Sequence, residues 1–168
     1  GEEANKYSSG AISVTKCYSS GAISGTYAGG IIGQYANKYS SGAITVTDCY
    51  STGEISGNDA GGIFGPYVNY DSSGTITVTN CYSTGEIKGV FAGGIFGYGA
   101  NSNSSGTITV ENCYSYGSVS DVARGIYSFK QSGARDPVQC YVANGNWNDT
   151  AATAAELSIE YTYDGDSE

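Results

Sequence analysis

Cysteine has the widest chemical repertoire of the residue types in this chain, and its spacing is regular. Cys17, Cys49, Cys81 and Cys113 stand 32 residues apart, and Cys140 follows after 27. Thiols at fixed spacing admit a disulfide framework, a metal site or plain packing. An odd count of five prevents full pairing. If the period brings the thiols into one column, their side chains point the same way, which holds the Cβ atoms farther apart than the roughly 3.5–4.5 Å a disulfide prefers. Zinc sites draw on short C-x-x-C spacings or on histidine, and the chain has neither. The four periodic cysteines therefore read as a structural ladder of buried, reduced thiols.

Each cysteine is followed by a tyrosine: Tyr18, Tyr50, Tyr82, Tyr114 and Tyr141. A strand neighbour of a buried residue points outward, so these predict an aromatic column on the surface. Such a column protects the seam between neighbouring segments, and it also offers aromatic faces to a glycan or a partner protein. A second outward array is built from hydroxyls. Ser13 and Thr15, Thr45 and Thr47, Thr77 and Thr79, then Thr109 with Glu111, recur at the same period. With about 6.6–6.8 Å between outward residues along a strand and about 4.8 Å between strands, they would form a flat grid. Threonine is a favoured strand residue on solvated faces. The grid also resembles the threonine faces of solenoid ice-binding proteins, although Glu111 interrupts its last row.

Catalytic constellations are not visible. There is no histidine to act as a general base, no Gly-Lys-Ser/Thr phosphate loop and no calcium-binding nonapeptide repeat. Asp48, Glu54, Glu86 and Lys88 look scattered rather than clustered as polysaccharide chemistry would require. These readings predict neither an enzyme nor a cofactor or metal site. The formal charge of −9, with only seven Lys and Arg in 168 residues, speaks against nucleic acid as a partner. No apolar run approaches the roughly 20 residues that span a bilayer.

The elements that would position these columns follow from the repeat itself. Residues 44–65, "ITVTDCYSTGEISGNDAGGIFG", return as "ITVTNCYSTGEIKGVFAGGIFG" at 76–97; a rougher copy lies at 12–33 and a decayed one at 108–129. Within a unit "GTITVTN" alternates with period two, the mark of a strand with Ile and Val on one face. A turn glycine (Gly21, Gly53, Gly85, Gly117), expected to supply a left-handed turn, leads to a short "EIS" or "AIS" strand. A third apolar piece, "AGGIFG", precedes a polar loop ending in "SSG". One unit cannot bury its own apolar face, but stacked copies can.

The expected fold is therefore all-β: a parallel, right-handed β-solenoid of about four 32-residue coils. The coils are assigned to 1–136 (9–40, 41–72, 73–104, 105–136), a C-terminal cap to 137–157 and a tail or linker to 158–168. Asn148 or Asp149 would cap a short helix over 150–157. Lys16, Asp48, Asn80 and Asn112 would stack at one corner. Because "GEEANKYSSG" at the start matches "GQYANKYSSG" at 33–42, the chain is expected to be a piece of a longer repetitive protein.

The elements "AGGIFG" at 60–65 and 92–97, with the T-N/D-C-Y-S-T-G stretches beginning at Thr47 and Thr79, resemble the GLUG-motif repeats of bacterial surface and adhesin-like proteins and of some secreted immunoglobulin A proteases. The resemblance spans roughly residues 1–130, and "CYVANGNWND" at 140–149 resembles segments that follow such repeats. Phe64 and Phe96 stand where that family more often has Val. The resemblance implies an extracellular or cell-surface setting and prescribes no catalytic residues; a relative's protease activity would lie in another domain.

Together these readings predict an extracellular, non-catalytic structural module. It would act as a spacer or display surface in adhesion, with a glycan or a host or neighbour-cell surface protein held along Tyr18, Tyr50, Tyr82 and Tyr114 or along Thr15, Thr45, Thr47, Thr77, Thr79 and Thr109. Ice binding by the threonine face is one alternative. Self-assembly by end-to-end stacking is another.

Overall fold

In the computed structural model, which describes residues 1–120, 123–128 and 141–142, the chain is a parallel β-solenoid. Four five-residue strands, β1 (Ala11–Thr15), β3 (Ala43–Thr47), β5 (Thr75–Thr79) and β7 (Thr107–Glu111), form one sheet in the order β1-β3-β5-β7. A second sheet is built from two-residue strands: β2 (Tyr18–Ser19), β4 (Tyr50–Ser51), β6 (Tyr82–Ser83), β8 (Tyr114–Ser115) and β9 (Tyr141–Val142). All pairs are parallel, and through β8 each residue faces its equivalent 32 positions on, as Ile44 faces Ile76 and Tyr50 faces Tyr82. About three turns link the four rungs.

Alternation along the long strands buries Ile44, Val46, Ile76, Val78, Ile108 and Val110 completely. They share one core with Phe64 and Phe96, while Ile23, Ile55, Ile87, Ala60 and Ala92 pack in a second, smaller cluster. Phe64, Phe96 and Tyr127 stack inside the coil with centroids 4.8 and 4.9 Å apart. The two further strands expected in each unit shrink to isolated bridges, such as Ile55 to Ile87 and Phe64 to Phe96. The chain turns too soon after each for a second pair to form.

The turn glycines act differently from the expectation. Among the described residues Gly99 is the one glycine with positive φ, at 68°. Left-handed backbone is instead taken by non-glycine residues, among them Lys16, Asp48, Asn80 and Asn112 at the predicted corner. There Asn80 donates to Asp48 Oδ1 at 3.1 Å and Asn112 to Asn80 Oδ1 at 3.4 Å. Gly53, Gly85 and Gly117 are required for closeness: a Cβ on each would lie 1.8–2.0 Å from the carbonyl oxygen of the equivalent glycine one rung before.

The polar stretch read as a loop is as regular as the strands. Tyr35, Asn37 and Tyr39, then Tyr67, Asn69 and Asp71, have φ between 47° and 59° at every second residue. Left-handed backbone costs roughly 1–2 kcal/mol per non-glycine residue, so it needs compensation. A buried asparagine ladder supplies it. Asn5 donates to Asn37 Oδ1 at 2.8 Å, Asn37 to Asn69 at 2.8 Å and Asn69 to Asn101 at 2.6 Å. Each of Asn37, Asn69 and Asn101 also donates to the glycine carbonyl five residues on, at 3.1–3.2 Å. Beside it, Ser40, Ser72 and Ser104 hydroxyls donate to the serine carbonyl one rung before.

Ser51, Ser83 and Ser115 form a buried column whose hydroxyls have no hydrogen-bond partner. A buried hydroxyl left unsatisfied costs on the order of 1–3 kcal/mol. Ser83→Ala is therefore expected to hold or raise the unfolding midpoint, by about 1 kcal/mol at most, in a urea titration.

The predicted helix over 150–157 and the tail at 158–168 lie outside the described residues. Of the assigned cap, β9 extends the second sheet, with Tyr141 facing Tyr114 and Val142 facing Ser115.

Candidate functional site

The register produces three outward arrays. On the first sheet, Thr45, Thr77 and Thr109 face one another across β3, β5 and β7. Thr15, Thr47 and Thr79 continue the next column, which ends at Glu111. Thr45 is exposed, whereas Thr47, Thr77, Thr79 and Thr109 are half-buried between their neighbours. The grid is flat because its strands are short, parallel and unshifted.

On the second sheet, Tyr18, Tyr50, Tyr82 and Tyr114 stack with centroids 5.3, 4.8 and 4.8 Å apart and interplanar angles of 11°, 3° and 3°. Each stacked pair adds about 0.5–1.5 kcal/mol beyond its buried area. Stacking also decides what the column offers. Tyr50 and Tyr82 each have a ring against both faces, so a partner meets ring edges and phenol hydroxyls rather than open faces. Tyr18, on the edge strand, is 65% exposed.

The cysteine column lies behind the tyrosines. Cys49, Cys81 and Cys113 are buried, but Cys17 is exposed because no rung covers its outer side. All four are free thiols. The Cys49, Cys81 and Cys113 thiols each donate to a carbonyl two residues earlier, at 3.2–3.3 Å. The amides of Cys17, Cys49 and Cys81 donate to the next sulfur at 3.4 Å. Burial pushes the Cys49 thiol up to about 11. A hydrogen bond from Cys113 draws Cys81 below its ordinary value, against burial, but its sulfur is shielded from reagents. At pH 8 an alkylating reagent should label Cys17 in the native protein and Cys49, Cys81 and Cys113 only after unfolding, as read by peptide mass mapping.

The carboxylates that looked scattered are partly gathered by the coil. Lys88 pairs with Glu86 at 2.8 Å and with Glu54 at 3.1 Å. Hydrogen bonds from these carboxylates raise the Lys88 ammonium, and Lys88 lowers Glu54. The cluster is fully open to water and contributes little to stability. Asp48 stays apart in the asparagine corner.

A third array escaped the sequence reading. Tyr7 stacks on Tyr39 at 5.2 Å and Tyr35 on Tyr67 at 5.5 Å, while Lys38 Nζ lies 4.0 Å from the Tyr35 centroid and 5.0 Å from that of Tyr39. A shallow groove of about 530 Å³ runs beside them, bordered by Tyr7, Tyr39, Asp71, Asn103 and the serine columns. The 32-residue spacing of Tyr7 and Tyr39, and of Asn5, Asn37, Asn69 and Asn101, was the available signal.

Among the described residues, no group of three or more Cys, Asp or Glu is placed to hold a metal ion, and no helix is long and apolar enough to cross a membrane. The chain matches no family model, no curated protein and no solved structure. The GLUG resemblance therefore rests on its motifs alone, and the functional argument on geometry.

Proposed function

We propose that the chain is a rigid, non-catalytic display module of an extracellular, adhesin-like surface protein, whose outward ladders contact a glycan or a protein on a neighbouring surface. The observation that carries this reading is the register: identical side chains recur on successive rungs with no slip. A weak contact made once at each rung adds up by avidity, with no need for a deep pocket. The tyrosine column is the first choice because its hydroxyls and hydrocarbon edges repeat at about 4.8 Å. The surface setting draws its support from the GLUG-like motifs.

The test is binding of the purified chain to arrayed glycans and to cell surfaces, compared with a Tyr50→Ala/Tyr82→Ala variant. The expected result is binding that the paired substitution weakens by roughly tenfold or more. Binding that the variant leaves unchanged would remove the tyrosine column from the function.

The flatness of the Thr45, Thr77 and Thr109 column supports a second reading, ice binding. It requires inhibition of ice recrystallisation at micromolar protein, abolished by Thr77→Lys. Ordinary ice growth at that concentration would eliminate it.

A further inference from the structure

One acidic side chain sits where the repeat elsewhere places aromatic rings. Tyr27, Asp59 and Phe91 are 32 residues apart and occupy equivalent left-handed positions, with φ of 67°, 57° and 54°. Amide bonds fix their alignment: Tyr27 donates to the Asn58 carbonyl at 3.0 Å and Asp59 to that of Val90 at 2.8 Å. Two residues on, Gly29, Gly61 and Gly93 bridge in parallel. Asp59 therefore has an aromatic residue on the rung before it and another on the rung after.

Further rings close in from the side. The Tyr98 amide donates to the Asp59 carbonyl at 3.1 Å. The Tyr98 ring lies 5.4 Å from Phe91 and 5.6 Å from Tyr67, and Tyr67 stacks on Tyr35. Tyr27, Val90 and Phe91 are 44%, 42% and 54% exposed, which makes an open apolar patch around a single carboxylate. That carboxylate accepts no hydrogen bond and makes no ion pair among the described residues. Burial holds it above the usual carboxylate range. The Tyr67 phenol is raised too, by burial first and by the Asp59 charge second.

Alone, this arrangement is electrostatically incomplete. Ring faces carry negative quadrupole potential, which disfavours an anion and attracts a cation. A cation placed over the rings and against the carboxylate satisfies both. The same aromatic array already accepts one from within the chain, since Lys38 Nζ sits over Tyr35.

We propose that the corner formed by Asp59, Tyr27, Phe91 and Tyr98 is a docking site for an arginine side chain presented by a partner protein. A guanidinium is planar, so it can stack on a ring while its fork of N–H donors engages the carboxylate; a lysine ammonium offers only a point charge. The chain's formal charge of −9 favours a basic partner segment over an acidic one. This site lies away from the Tyr50 and Tyr82 column and goes beyond the display reading.

The test is an NMR titration of the chain with acetylated tetra-arginine peptide, with tetra-lysine and tetra-citrulline as comparisons. Tetra-arginine should shift the Asp59, Phe91 and Tyr98 amide resonances. Asp59→Asn and Phe91→Asn should each weaken binding at least fivefold; asparagine adopts positive φ readily, so both variants keep the backbone. Asp48→Asn, which removes one charge elsewhere, should change affinity less than twofold, and Tyr50→Ala/Tyr82→Ala should leave it unaltered. Shifts confined to other residues, equal binding of tetra-lysine, or an Asp48→Asn effect matching that of Asp59→Asn would overturn the proposal.

Discussion

Gly85→Ala should abolish the folded state at ordinary temperature, whereas Gly21→Ala, one substitution at the equivalent position of the first coil, should be nearly silent. A Cβ on Gly85 would lie 1.8 Å from the Gly53 carbonyl oxygen and 2.5 Å from its carbon, while one on Gly21 has nothing within 4 Å. The clash is with main chain, so no rotamer change relieves it. Separating the rungs at this point would also stretch the Tyr82 and Thr84 amide bonds to Cys49 and Ser51, at 3.1 and 2.9 Å. Overpacking of side chains costs about 1–3 kcal/mol; a backbone collision between rungs should exceed about 3 kcal/mol. Circular dichroism and thermal melts of the two variants measure the contrast. Its origin is stacking itself, because Gly21 has no rung beneath it.

Asn69→Ala should cost roughly 3–5 kcal/mol, read as a fall in the urea midpoint. Its amide donates to Asn101 Oδ1 and to the Gly74 carbonyl, and its oxygen accepts from Asn37. Alanine leaves the Asn37 amide and the Gly74 carbonyl buried with fewer partners, and it must also hold a φ of 56° that asparagine tolerates better. Asn69→Asp should be at least as damaging, since a carboxylate would face the Asn101 and Gly74 oxygens as a second acceptor. Asn5→Ala should be mild: Asn5 is half-buried and lies on the edge coil.

These two effects mark what was legible in the sequence and what was not. Ile44, Val46 and Cys49 could be placed inward and Thr45 and Tyr50 outward, because a period of two within a period of 32 leaves one consistent packing. Gly85 was recognised as special for the wrong reason. Sequence alone ties glycine to left-handed turns, whereas here the constraint is the distance to the next rung. The asparagine ladder was hidden by composition, since "GQYANKYSSG" reads as a polar loop. Its order comes from bonds between coils, which no local window contains.

The tyrosine column illustrates a related gap. Outward placement of Tyr50 and Tyr82 followed from strand alternation, but alternation says nothing of ring tilt. Stacking at 4.8 Å closes the faces that a sugar ring would use, and leaves a row of edges and hydroxyls. Asp59 was passed over because its column in the repeat is variable, and only the rings of neighbouring rungs give its carboxylate a setting. Both features depend on side chains that are 32 residues apart in sequence and adjacent in space.

The account treats each 32-residue unit as an interchangeable rung of a stiff spacer. Its most direct test is the maximum dimension, from small-angle scattering, of chains carrying none, one or two extra in-frame copies of residues 41–72. The predicted result is a cooperative fold in every case and an increment of about 4.8 Å for each added copy. A dimension that stays constant, or a chain that collapses or loses its fold on insertion, would contradict the stacked-coil spacer.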